Sequence, residues 1–255
     1  MKFWNLAKNQ EDELELRIDG EIVSDDDSWF YEWFEIPCAA PNAFRDALKE
    51  HKGKDITVWI DSWGGDVFAG VGMYNALKEH KGKVTVKIDG KAVSAASIIA
   101  MAGEETWMTP GSIIMAHNPW SFNAGEAKDM RHAADVLDEV KNAIINVYTL
   151  KTGKDKKYLS KLMDNETWMS AKTAVEEGFA DGILYSEAKD PPPQNAYTLS
   201  GMAIQNSAQK VMQKFFEMYQ QQHKPEGDPP NKRVFDIKKR VKVREIQNRR
   251  KKTHD

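Results

Sequence analysis

Three apolar runs, LELRIDGEIV, DITVWID and KVTVKIDG, lie between Leu14 and Gly90, and stretches of helical periodicity separate them. Strands spaced by helices cannot close as tight hairpins. They need crossover connections, which lay parallel strands side by side and put helices on the sheet. The pattern therefore predicts an α/β domain, with helices near Pro41 to His51, over Val67 to Glu79, and from Ser94 onward. TWMT and SIIMAHN read as further strands around the turn Pro110-Gly111. From Gly125 to about Thr152 one helical pattern runs for some seven turns, with Met130, Ala134, Leu137, Val140, Ile144, Val147 and Tyr148 on one stripe and Gly153 at its end. Such a helix is either a core element or an interface arm. SAKTAVEEG carries a capping Ser170 and a terminating Gly178, and FADGILY closes the domain.

The chain has 255 residues, 41% of them hydrophobic, enough for a substantial core. Its one cysteine, Cys38, excludes an internal disulfide and any multi-cysteine zinc site. No metal and no cofactor are expected. The N-terminus turns acidic before an apolar signal segment can form, and Ala92 to Ala102 is too short to span a bilayer, so a cytoplasmic protein without membrane contact is expected. The charge is uneven: Lys224 to Asp255 holds twelve Lys/Arg against five Asp/Glu, in a chain of net charge -3. The break DPPPQ at Asp190 to Gln194 divides a domain over 1-189 from a segment over 190-255. That segment comprises the linker, an amphipathic helix over Ser200 to Gln222, and a basic, partly disordered tail. With only Phe235 among its basic residues, the tail lacks interleaved aromatics, and nucleic acid is not expected as a partner.

Two segments carry chemistry. In DSWGGDVFAG, residues 61–70, the paired Gly64 and Gly65 suit a tight strand-to-helix turn and equally the close approach of an extended peptide. In GKAVSAASIIAMAG, residues 90–103, Ser94 and Ser97 interrupt a run of small apolar side chains. Right-handed βαβ units deliver both segments to one edge of the sheet, so Gly65 and Ser94 become neighbours. A backbone N–H just after Ser94, at the start of a helix, suits a developing oxyanion. Serine needs a base, and His117, at the end of the apolar run SIIMAHN, is the histidine best separated from charged surface. For the acid that orients it, Asp164 and Glu166 in MDNETWMSA both remain open.

GGDVFAG, GKAVSAAS, MAHNP, the long helix beginning GEAKDM and ETWMSAKTAVEEGFAD occur in the order found in the ClpP-type serine peptidases. Over about Leu14 to Leu184 the chain resembles that family, especially its head maturation proteases of bacteriophages and prophages. The resemblance implies a ClpP/crotonase-like fold of repeated ββα units with a long protruding handle helix. It implies Ser94 as nucleophile, His117 as general base, Glu166 as the third member with Asp164 in reserve, and the N–H groups of Gly65 and Ala95 as oxyanion donors. Gly64, Gly65, Asp66 and Val67 would form the loop on which substrate lies. Two residues depart from the family: Glu166 stands where aspartate is common, and Trp63 where proline usually precedes the glycines.

The family also implies a homo-oligomeric ring, a heptamer or stacked heptamers. The substrates it implies are phage scaffold and capsid proteins cut during prohead maturation. Other readings are a cellular-type Clp core fed by an AAA+ unfoldase, a crotonase-like acyl-CoA site, and a catalytically silent capsid-assembly module.

Overall fold

The run VTVKI buries Val84, Val86 and Ile88 and leaves Thr85 and Lys87 half-buried, the period-two signature of a strand with one apolar face. In the computed structural model, which describes residues 7–8 and 14–185, this run lies in β5 (Val84–Val93), the middle of a nine-stranded sheet. On one side of β5 stand β4 (Ile56–Gly65), β2 (Leu14–Ile22) and β1 (Ala7–Lys8); on the other, β6 (Glu105–Met108) and β9 (Gly182–Ile183). The ladders β2–β4, β4–β5, β5–β6 and β6–β9 are parallel, as the helical crossovers require. Two short strands, β3 (Cys38–Ala39) and β7 (Ile113–Ala116), pair with β2 and β5, and β8 (Thr167–Ser170) runs antiparallel to β7. The sheet is thus mixed at this margin, where sequence alternation alone predicted parallel strands.

The helices are α1 (Ser28–Trp33), α2 (Pro41–Lys49), α3 (Val67–Lys78), α4 (Ala95–Ala100), α5 (Ala127–Thr152), α6 (Lys156–Asp164) and α7 (Ala171–Glu177). The short aromatic α1 has no counterpart in the sequence reading, because six residues carry too little periodicity to register. Every side chain of α4 is buried. Its alanines let it press against α3, where a Cβ on Gly70 would lie 3.0 Å from that of Ala95. Burying one Ile or Met of this cluster contributes roughly 1.5–3 kcal/mol, which makes α4 one of the best-anchored elements in the fold. The opposite face of the sheet is polar. Arg17 pairs with Asp89 at 2.7 Å, Lys91 with Asp61, and Lys87 sits 5.1 Å over the Trp59 ring.

The long helix begins with a reciprocal capping box between Glu126 and Asp129 and stops at Gly153, whose φ of 69° a side chain would resist. Of its apolar stripe only Ile144 and Tyr148 are buried, with Ile145 buried beside them, while Met130 faces outward. One end of α5 is therefore core and the other an arm, which unites the two alternatives. No helix among the described residues is long and apolar enough to cross a membrane. The linker, amphipathic helix and tail expected over 190–255 lie outside the described residues.

A turn at Gly64-Gly65 is one of the two readings that the sequence allows, and the third apolar run ends at Gly90. The structure corrects both. β4 continues through Gly65, paired with Glu21 and Ile22 after a bulge, and β5 continues to Val93. In β4 the fully buried Ser62 Oγ donates to the Gly20 carbonyl at 2.6 Å and accepts from Gly64 N at 3.0 Å, replacing a ladder bond with a side chain, and the end of β5 pairs with β7. Gly64 has φ +87°, and a Cβ there would sit 2.4 Å from the Val93 carbonyl oxygen; Gly53 has φ +84° but open space around it. Gly53→Ala should therefore cost about 1 kcal/mol and Gly64→Ala about 3 kcal/mol or more. Equal shifts in denaturant midpoint would contradict this packing.

Candidate active site

Ser94 stands between β5 and α4 at φ +56° and ψ -123°, a backbone conformation that costs a residue with a side chain about 1–3 kcal/mol. Three hydrogen bonds hold it there. Its N–H donates to the Met115 carbonyl at 3.0 Å, and its own carbonyl accepts from Ser97 N at 2.9 Å and Ser97 Oγ at 2.6 Å. β5 forks: its first half pairs with β6, and its last three residues pair with β7, with Val93 opposite Met115. Two residues beyond Met115 the chain reaches His117, so the fork brings the imidazole and Ser94 together. His117 Nε2 lies 2.7 Å from Ser94 Oγ.

His117 is largely enclosed, and burial holds its pKa below the ordinary value; the Glu166 carboxylate opposes this by favouring the imidazolium. Burial outweighs the carboxylate, and the net lowering leaves a neutral ring near pH 7, the form that can accept a proton. Glu166 has φ +47° and accepts from Trp168 Nε1 at 3.2 Å; no hydrogen bond among the described residues joins it to His117. It acts on the ring through space. Asp164 is engaged elsewhere, accepting from Asn118 Nδ2 at 2.9 Å and Lys141 Nζ at 2.6 Å, contacts that lower its pKa, the Asn118 bond foremost.

Gly64 packs on the serine elbow, where a Cβ would come within 2.9 Å of both Ala95 N and Ser94 Cβ. Gly65, at φ +143°, lies against Ile22, and Asp66 caps α3 by accepting from Ala69 N at 2.6 Å. Val67 is the first residue of that helix. The four residues read as one loop are thus a strand end, a cap and a helix start. Trp63 is 41% exposed and packs edge-on against Trp168, with the Lys91 ammonium 5.0 Å from its ring centre.

A profile of the Clp protease family matches residues 46–187, more than half of the chain. The chain belongs to the Clp protease family. It is 33% identical over 139 residues to the ATP-dependent Clp protease proteolytic subunit of Porphyromonas gingivalis, covering 54% of this chain and 63% of that protein. Over 139 residues it is 36% identical to ATP-dependent Clp protease proteolytic subunit 1 of Chlamydia muridarum, covering 52% of this chain and 72% of the relative. Over 141 residues it is 35% identical to its namesake from Chlamydia caviae, covering 53% and 73%. The match to the Porphyromonas protein thus spans less than two thirds of that protein's length.

In this Clp protease domain several neighbours of the site escape sequence reasoning. Trp168 orients Glu166, Asn118 and Lys141 hold Asp164, and Tyr148 of α5 meets Ser97 at 2.8 Å. Trp168 lies inside ETWMSA and Tyr148 on the helix stripe, but nothing in either pattern marks the partner. Glu166→Gln removes the influence that raises the His117 pKa and keeps the one that lowers it. The imidazole should therefore titrate at lower pH in the variant, as followed by its ring proton resonances. A titration that moves upward would contradict the electrostatic contact. A pKa lowered on folding also makes stability rise with pH between the folded and unfolded values and stay level on either side of that window.

Proposed function

We propose that this domain is a serine endopeptidase in which His117 activates Ser94, working as the proteolytic core of a Clp-type assembly. The observation that carries the reading is the 2.7 Å contact between His117 Nε2 and Ser94 Oγ, made on a residue held at φ +56°. His117 takes the hydroxyl proton as Oγ attacks a peptide carbonyl. The Glu166 charge stabilises the imidazolium, which passes its proton to the leaving amine. Water, deprotonated by the same ring, then releases the acyl group from Ser94.

The oxyanion falls to Gly65 and Ala95. Gly64 N–H and Asp66 N–H are committed to Ser62 Oγ and the Ile22 carbonyl on the β2 side. Strand alternation turns the intervening Gly65 N–H toward β5. Ala95 is the first residue of α4, where an N–H has no acceptor within the helix. Beyond Ser62 the β5 side of β4 carries no ladder pairing among the described residues, which leaves an edge for an extended substrate.

The relatives bear the name of ATP-dependent Clp proteolytic subunits, which favours proteins delivered by an AAA+ unfoldase over the phage capsid and scaffold substrates expected from sequence. Self-association is supported by an apolar groove of about 460 Å³ between α3 and α5, lined by Phe68, Val71, Val136 and Val140. Fluorophosphonate labelling tests the chemistry. Wild type and Ser97→Ala should be labelled on Ser94, and Ser94→Ala should lose both the label and at least about 10³-fold in peptide hydrolysis. Labelling that survives in Ser94→Ala would overturn the assignment. With a Clp ATPase added, degradation of a folded protein should require ATP, and light scattering should find an oligomer; ATP-independent degradation, or a monomer, would refute the assembly.

A further inference from the structure

Ser97 has no part in the proton transfers above, yet it is fully buried and its hydroxyl makes two hydrogen bonds. Ser97 Oγ lies 2.6 Å from the Ser94 carbonyl oxygen and 2.8 Å from Tyr148 Oη. A carbonyl oxygen cannot donate, so the single Ser97 proton goes to Ser94 and the Tyr148 proton must go to Ser97 Oγ. The direction is fixed: Tyr148 O–H to Ser97 Oγ, Ser97 O–H to Ser94 C=O. Complete burial pushes the Tyr148 pKa up to about 12, so its proton is present throughout the neutral range. An edge contact with Phe179, centroids 5.2 Å apart, fixes the ring that carries it.

The end of this relay matters because the Ser94 carbonyl and the Ala95 N–H belong to one planar peptide group. On the reading proposed above, that N–H is an oxyanion donor. A peptide plane clamped at its oxygen by both Ser97 N and Ser97 Oγ cannot rotate without breaking two bonds, so its N–H keeps one direction. Hydrogen bonds in series also polarise one another, and a carbonyl that accepts charge makes its own N–H a stronger donor. The clamp supports the unusual Ser94 backbone as well, since it opposes relaxation of ψ away from -123°.

We propose that Ser97 and Tyr148 are positioning residues of the oxyanion site, acting through the Ser94–Ala95 peptide plane. Neither touches substrate. The inference rests on the serine peptidase reading and adds to it a specific origin for the orientation and strength of one donor. It also gives the long helix α5, which carries Tyr148, a polar connection to the catalytic serine.

The test uses the full chain, a chromogenic peptide substrate and a peptide boronate, which forms a tetrahedral anion on an active serine. Tyr148→Phe keeps the ring and deletes one hydroxyl; Ser97→Ala deletes the other. Each should lower kcat about tenfold and weaken boronate binding by a similar factor, leaving KM and the acid limb of the pH profile in place. In the Ser97→Ala background, Tyr148→Phe should add less than about twofold, because the relay is already cut. Thermal unfolding identifies any misfolded variant, and Tyr148→Phe alone suffices if Ser97→Ala does not fold. Wild-type-like kcat and boronate affinity in Tyr148→Phe, with hydrolysis still dependent on Ser94, would overturn this inference and leave the peptidase reading standing. A moved pH limb or KM with unchanged boronate affinity would equally overturn it. Absence of Ser94-dependent hydrolysis in the wild type would remove the peptidase reading and the inference together.

Discussion

The hydrogen bond from Ser94 N–H to the Met115 carbonyl, 3.0 Å long, joins the two strands that lead to Ser94 and His117. It extends the β5–β7 ladder by one residue past Val93, holds Ser94 in a conformation that its side chain disfavours, and fixes how far His117 stands from the serine oxygen. The strain is sustained by structure on both sides. α4 is entirely buried behind the elbow, and Gly64 supplies the space in front of it that any larger residue would fill. These supports together hold Ser94 Oγ beside His117 Nε2.

The electrostatics follow from the same burial. Enclosure keeps His117 neutral and able to accept a proton, while Glu166 limits how far that effect runs and favours the cation once it forms. Glu166 is itself turned by a positive φ and tethered by Trp168, which leans on Trp63 beside the paired glycines. The departure from proline at position 63 therefore has a structural counterpart: the indole packs on the tryptophan that donates to Glu166. Asp164, at the end of α6, instead links Lys141 of α5 to Asn118, the residue after His117.

Much of this was legible in the sequence, and the boundary of legibility has physical causes. The strands LELRIDGEIV, DITVWID and KVTVKIDG and the helix ending at Gly153 declare themselves because burial and capping act locally, within one turn or two residues. Ser94, His117 and Gly65 were candidates because topology sends strand ends to one edge of a parallel sheet. The continuation of β4 through Gly65 was hidden, since it depends on Ser62 substituting for a ladder bond across to Gly20. Likewise Ser97 looks like a packing residue in AASIIA, and its partner Tyr148 is fifty-one positions away. Nor could spacing show that Lys141 engages Asp164, because that lysine comes from a helix whose docking is a tertiary fact.

The central claim is that one oxygen and one imidazole nitrogen share a single reaction centre. A peptidyl chloromethyl ketone tests it most directly, because such a reagent bonds to a serine oxygen through its carbonyl carbon and to a histidine nitrogen through its methylene. Peptide mapping after exposure should find alkylation at His117 that requires an intact Ser94, and a structure of the adduct should show the inhibitor bridging the two. Alkylation at a different histidine, or equal modification of His117 when Ser94 is replaced by alanine, would contradict the account.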